Sequence, residues 1–525
     1  MLVTIGTIVD LVVTFNERRQ KSSNSYVILV EDNETTGRTS VLSNETSSSG
    51  QIQSQRLNPP QPNRGKICQV AVAFSIVTNT RKLLSTSTSS GHLTSLNGMR
   101  VLSMFWIILG HTYLFASLGM TVENSLAAVK IIQRFSFQAI INATVSVDTF
   151  FFMSGLLVTY LYLKNRQEST DSFNWVLFYF HRYWRLTPVY AFCIMIWGSL
   201  FFHTLRGPMA VWRSTPQTQA LINECSKSWW ANILYINNYY PYSGDINQQC
   251  MGWSWYLAND MQFYIISPII LILLYRYRKI GFAVCGGLIG ACIFIRAMTA
   301  FEFGIHVPNQ AVTKHKDNYY GQHAPLYNKM YTRIAPYIVG MLLGYALHKT
   351  NCRVRMSKVT VLTGWSVAIA TGLSVVYGLY DYYYHSFNAS LAVSVIYLAF
   401  NRFAWSVALA WVVFACATGY GGLVNSILSW SAWAPLGRLT YCAYLIHPMI
   451  LEFFFFQPYA YIVSDVNMIC YYLGLLVLTY MCAYIVSMAV EAPMLGLEKI
   501  LIPLMEKAIN TLVRFLQSFL RRRPD

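Results

Sequence analysis

Gly98-Met99-Arg100-Val101-Leu102-Ser103-Met104-Phe105-Trp106-Ile107-Ile108-Leu109-Gly110-His111-Thr112-Tyr113 is an apolar run close to the length of a membrane span, with a strong base at its start and an imidazole deep inside. An ionisable residue within a spanning helix is costly and marks a functional site by default. Arg100 and His111 are eleven residues apart. That is almost three whole turns, so both project from roughly one face, about 16 Å apart along the axis. The run therefore predicts a helix with a cation at the membrane surface and an acid–base group near mid-bilayer. The rest of the chain reads as the cavity built around that line.

Composition supports this. Of 525 residues, 54% are hydrophobic and only 12% charged, where a soluble chain carries about 25% charged residues. The apolar excess has to face lipid, which makes this an all-α, polytopic transmembrane bundle and one large domain. The net charge of +17 is not read as a sign of a nucleic-acid partner. In such a protein the basic residues gather in cytoplasmic loops, beside anionic lipid. The eleven cysteines show no metal spacing, and no metal is expected. Most lie in apolar runs, where Cys behaves as a small hydrophobe. Cys225 and Cys250 share one polar loop and can pair if that loop faces an oxidising compartment.

Along the chain, residues 1–19 read as a short, atypical membrane stub interrupted by Asp10. Residues 20–91 read as a disordered cytoplasmic linker, rich in Ser, Asn, Gln and Thr, with an interfacial helix near its end. Ten spans follow within a membrane domain at 92–495: 99–118, 143–163, 187–204, 253–274, 280–300, 333–348, 359–379, 402–418, 439–456 and 469–490. Residues 496–525 read as a basic amphipathic cytoplasmic tail. The positive-inside rule places the linker, Arg100 and the tail in the cytoplasm, because that choice puts most of the 39 Lys and Arg inside. The sequon at Asn388 then falls outside, and the one at Asn142 sits at an outer membrane edge. The chain is thus expected in the plasma membrane or an endomembrane.

Several groups could carry chemistry. His111 supplies an imidazole, a group that in water titrates near neutrality and so suits a general base. Asp148 and Asp260 lie inside spans and need partners, an imidazole or an Arg being the natural ones. Arg182 and Arg185 are one turn apart at the inner edge of the third span, and Arg forks suit phosphate. In the fourth span Trp255, Asn259 and Gln262 fall near one face, with Tyr256 beside them, and read as a cavity wall or an aromatic belt. Tyr441 and His447 open the ninth span, and His447 precedes a helix-kinking Pro. His447 either lines the cavity or packs.

Five segments taken together resemble the acyltransferase-3 family of integral membrane proteins, in its animal "nose resistant to fluoxetine" branch. They are the Arg100–His111 run, Val147-Asp148-Thr-Phe-Phe-Phe-Met-Ser-Gly155, Arg182/Arg185-Leu-Thr-Pro188, Trp255-Tyr-Leu-Ala-Asn-Asp260-Met-Gln-Phe-Tyr264 and Gly437-Arg-Leu-Thr-Tyr441…His447-Pro448. The resemblance implies ten core helices and transfer of an acyl group from cytoplasmic acyl-CoA, with acetyl-CoA the first candidate. The acceptor would be a hydroxyl or amine of a lipid, sterol or glycan. His111 matches the catalytic histidine, Arg100 its companion, and Arg182 and Arg185 the positions thought to hold the donor; Asp148 or Asp260 would balance the histidine. Two features depart from the family. The cysteine-rich domain usual in this branch is expected to be missing ahead of the stub, and Asp260 stands where many relatives have Glu. The alternative is uptake or transport of lipids or xenobiotics without acyl transfer, since intramembrane Asp and His also suit proton coupling.

Overall fold

The computed structural model describes residues 1–31, 65–87, 93–118, 122–168, 173–201, 216–241, 249–307, 311–312, 324–385, 387–456 and 460–521. It is helical almost throughout. Its strands, among the described residues, are an antiparallel pair of two-residue segments, Ile305–His306 with Ala311–Val312. The long helices are α1 (Leu2–Glu31), α2 (Lys66–Ala73), α3 (Ile76–Leu84), α4 (Ser95–Leu118), α5 (Val145–Glu168), α6 (Trp175–Met195), α7 (Pro216–Ile233) and α8 (Trp255–Arg276). They continue with α9 (Arg278–Glu302), α10 (Ile334–Lys349), α11 (Lys358–Tyr377), α12 (Leu391–Ala417), α13 (Trp433–Phe455), α14 (Asp465–Val486) and α15 (Ala492–Arg521). Short turns between them are left unlabelled.

Two compact units form. One joins Met1–Leu83 to Met488–Asp525; the other is Leu84–Ser487. In the first, α2 packs on α1 and on α15. Asp10, which breaks the apolar run at the N-terminus, is buried but satisfied: it accepts from Ser75 Oγ at 2.7 Å and Thr78 Oγ1 at 2.5 Å. Helix α1 continues to Glu31, into the stretch expected to be linker. Residues 32–64 of that linker lie outside the described residues.

Seven helices among the described residues are long and apolar enough to cross a membrane: Ser95–Ser117, Phe135–Glu168, Gly252–Arg276, Arg278–Glu302, Lys358–Tyr384, Leu391–Ala417 and Asp465–Lys507. The chain is an integral membrane protein. The spans expected at 187–204, 333–348 and 439–456 correspond to α6, α10 and α13, which fall outside those seven. Helix α10 has only 16 residues, and α6 and α13 are diluted by polar and aromatic side chains. The eighth span begins at Leu391 rather than at 402, because the apolar stretch before Arg402 is helical as well.

The tightest packing in the second unit is between α5 and α10. A methyl built at Gly155 would meet the Tyr337 carbonyl, one at Gly340 the Phe152 carbonyl, and one at Gly344 the Leu156 carbonyl. The two helices run in the same direction with backbones in contact, the arrangement that small residues allow in membranes. Phe151, Phe263, Tyr337 and Met341 fill the core beside this crossing, shared with α8. The close approach also aligns the N-terminal ends of both helices, with Asp148 in the first turn of α5 and Arg333 at the N-cap of α10.

Candidate functional site

Helix α4 is continuous from Arg100 to His111, so the separation of about 16 Å expected from the rise per residue holds. His111 Nδ1 lies 2.8 Å from His447 Nε2 on α13. His447 is wholly buried, and its Nδ1 faces the carbonyls of Tyr444 at 2.8 Å and Ala443 at 3.2 Å. The geometry of α13 explains this contact. Pro448 has no N–H, so the carbonyl four residues back, that of Tyr444, loses its helical donor. The imidazole of His447 turns back and donates to it.

These contacts set the tautomers. A carbonyl only accepts, so His447 Nδ1 carries the hydrogen. A neutral His447 then offers Nε2 as an acceptor, and His111 Nδ1 donates to it. His111 Nε2 is left with its lone pair free. The relay runs from that lone pair through two rings to a backbone carbonyl. Among the described residues no carboxylate bonds to His111; its other ring contact is Phe115, edge-on at 6.0 Å.

Both carboxylates expected beside His111 are engaged elsewhere. Asp148 is buried and accepts from Arg333 Nη1, with both of its oxygens at 3.0 Å. Asp260 pairs with Arg182 of α6. The Arg182 guanidinium also lies over the Tyr264 ring at 5.0 Å and 3.5 Å from Ser154 Oγ. Neither acid therefore orients the imidazole by direct contact.

Arg100 lies within electrostatic reach of Arg185 and Arg182 and of the Tyr256 phenol. Arg182 is neutralised by Asp260. Among the described residues neither Arg100 nor Arg185 has an ion-pair partner. This end of the bundle thus holds two uncompensated cations, a fit for a polyanionic ligand.

The expected cavity wall divides. Tyr256 stays near the arginines and packs edge-on against Tyr444 at 5.3 Å. Trp255 is buried and covers the Arg333 guanidinium at 4.8 Å. Asn259 and Gln262 are spent on structure. Asn238 donates to Asn259 Oδ1 at 2.7 Å, Asn259 donates to the Asn328 carbonyl at 3.1 Å, and Gln262 donates to the Tyr235 carbonyl at 2.8 Å. Tyr441 donates to the Leu186 carbonyl at 2.7 Å, and Tyr444 to the Trp253 carbonyl at 2.6 Å. These bonds tie α13, and with it His447, to α6 and to the start of α8. Cys225 and Cys250 form a disulfide. The sequence reading did not single out Arg296, Tyr327 or Glu452; the last lies five residues past His447 on α13.

The acyltransferase-3 family profile, described as an acyltransferase domain, matches residues 93–488. The chain is 32% identical over 457 residues to nose resistant to fluoxetine protein 6 of Caenorhabditis elegans, a match covering 82% of this chain and 54% of that protein. It is 23% identical over 458 residues to the regulator of hypoxia-inducible factor 1 of the same organism, covering 82% and 85% of the two chains. A Staphylococcus aureus protein (strain COL) named as an O-acetyltransferase is 28% identical over 226 residues, 41% of this chain and 32% of that one. The chain thus spans about half the length of the nose resistant to fluoxetine protein. No solved structure matches.

Proposed function

The chain belongs to the acyltransferase-3 family, and from that premise we propose that it is a member of the nose resistant to fluoxetine branch and moves an acyl group from acyl-CoA to a hydroxyl or amine. The acceptor is a lipid, sterol or glycan, and acetyl-CoA is the simplest donor. The observation that carries this reading is the His111–His447–Tyr444 relay, set on the same helix as an arginine without a counter-ion.

Acyl-CoA supplies a thioester carbonyl open to attack. Arg100 and Arg185 hold its phosphates, and Arg182, fixed by Asp260, adds a positive wall. His111 Nε2 takes the proton from the acceptor hydroxyl as that oxygen bonds to the acyl carbon. The same imidazolium returns the proton to the departing thiolate, so the products are the acyl ester and free thiol. His447 receives the His111 Nδ1–H bond throughout and keeps the ring oriented. The positive end is assigned to the cytoplasm, together with the linker and tail. The Cys225–Cys250 bond supports an oxidising compartment on the other side, in the plasma membrane or an endomembrane.

Transport of a lipid or xenobiotic is the second reading. The buried carboxylate–arginine pairs favour it, since such pairs line ion-coupled pathways. One experiment separates the two. The full chain in nanodiscs is given radiolabelled acetyl-CoA and a membrane lipid and glycan extract. Label transfer that is lost in His111→Ala supports acyl transfer. Absence of His111-dependent label, with lipid or drug uptake into proteoliposomes lost in the same variant, supports transport instead.

A further inference from the structure

The expected site uses one end of the bundle and the face of α4, and it leaves a second ionic cluster unused. Asp148 and Arg333 are buried and joined, and Arg402 Nε stands 3.8 Å from the same carboxylate. Arg296, fully buried between α9 and α12, belongs to the group as well: its charge acts on Arg402 together with those of Arg333 and Asp148. Three guanidiniums thus surround one carboxylate.

Their hydrogen bonds sort them. Arg296 is saturated by neutral acceptors: the carbonyls of Leu398 at 2.7 Å from Nε, Leu326 at 3.4 Å and Thr332 at 3.3 Å, and Asn401 Oδ1 at 3.0 Å. Arg333 gives Nε to the Tyr327 carbonyl at 2.7 Å and Nη1 to Asp148. Its plane is covered by Trp255 at 4.8 Å and Tyr327 at 4.6 Å. What remains is specific: Arg333 Nη2 and Arg402 Nη1 are both buried with no hydrogen-bond partner. Arg402 keeps 11% of its side chain exposed, although the two unpartnered nitrogens are themselves buried. A buried cation without a counter-ion is costly, and so is a buried N–H without an acceptor. An oxyanion supplies what both lack, a negative charge and hydrogen-bond acceptors.

We propose that Arg333 Nη2 and Arg402 Nη1 form a binding site for an oxyanion, a carboxylate or phosphate group, beside Asp148. The site shares a wall with the His111 helix. Trp405, three residues past Arg402, donates to Thr149 Oγ1 at 3.0 Å and packs against Trp106 of α4 with ring centroids 5.6 Å apart. The oxyanion is either free in solution or the headgroup phosphate of a membrane lipid. Asp148 anchors Arg333 and, being negative itself, limits how tightly the anion is held. The site stands independently of acyl transfer, because it uses none of Arg100, His111, Arg182, Arg185 or His447.

The test uses the full chain in phosphatidylcholine nanodiscs with radiolabelled orthophosphate at constant ionic strength, and in phosphatidylglycerol nanodiscs followed by native mass spectrometry. The expected result is saturable binding of one anion per chain, competed by acetate. Arg402→Gln should weaken it about tenfold or more, the loss of a charge-assisted contact. Arg402→Lys should retain part of it, and Asp148→Asn should tighten it. A retained phosphatidylglycerol that is absent from Arg402→Gln, with no orthophosphate bound, identifies the lipid as the source. No saturable orthophosphate binding and no retained lipid in the wild-type chain overturns the proposal. So does equal binding in wild type and a folded Arg402→Gln. Should Arg402→Gln fail to fold, the wild-type isotherm and Arg402→Lys decide.

Discussion

Replacing His447 by Leu tests the relay directly. Leu fills a similar volume and removes the acceptor at 2.8 Å from His111 Nδ1. The His111 ring then has no partner to hold its orientation, and its proton is free to move to Nε2, which disarms the base. A buried neutral hydrogen bond contributes about 0.5–1.5 kcal/mol, and about 1.4 kcal/mol is a tenfold change in rate. Loss of an orienting partner typically costs about 10- to 100-fold. We expect His447→Leu to lower kcat within that range while the KM for acyl-CoA stays unchanged, because the arginines lie at the far end of α4. His447→Gln should recover part of the rate, since its amide oxygen still accepts from His111. The assay is label transfer from acetyl-CoA by nanodisc-embedded chain, with the melting temperature of each variant measured alongside. A folded His447→Leu with wild-type kcat refutes the relay. So does a loss that falls on KM and leaves kcat intact.

Three further outcomes follow from the same geometry. Arg185→Glu should raise the KM for acyl-CoA about tenfold and flatten its salt dependence, with kcat little changed; initial-rate kinetics at two ionic strengths would read this, and an unchanged KM would remove Arg185 from the donor site. Gly340→Leu places a side chain against the Phe152 carbonyl and should lower stability by about 1–3 kcal/mol or more, seen as a fall in melting temperature, whereas an unchanged value would deny the backbone contact. Asn388→Gln should abolish glycosylation in a eukaryotic host while Asn142→Gln leaves it intact, because the Asn142 amide is tied to the Val376 carbonyl at 2.8 Å; a mobility shift lost only with Asn142 would reverse this.

The helices of the membrane domain were readable because lipid forces long apolar runs, and the ends of α4, α5 and α8 lie close to where hydropathy places them. The Arg100–His111 line was readable because one helix carries both residues. Pairing across helices was not readable, since span order does not fix which faces meet. Asp148 could not announce Arg333, which lies 185 positions away and meets it only because Gly155, Gly340 and Gly344 let α5 and α10 touch. Asn259 and Gln262 looked like a wetted wall, because polar residues in a span serve a cavity or a buried network equally well. One signal was available and passed over. In Tyr444-Leu-Ile-His447-Pro448 the proline strips the donor from the Tyr444 carbonyl, and the imidazole just before it is placed to fill the gap.

The placement of charge explains why the relay is built from two imidazoles. Asp148 and Asp260 are each neutralised by an arginine, and neither contacts His111. A carboxylate bonded to His111 would make it a stronger base. It would also set a negative charge in a medium of low dielectric, on the path of the proposed polyanionic donor, and would have to be matched by a further cation. His447 and the Tyr444 carbonyl orient the ring without adding charge. The resulting base is milder, which suits the thioester donor proposed for it, since a thioester is already activated. At the end of the bundle where the proposed anionic donor would be held, the positive charge left unpaired is that of Arg100 and Arg185.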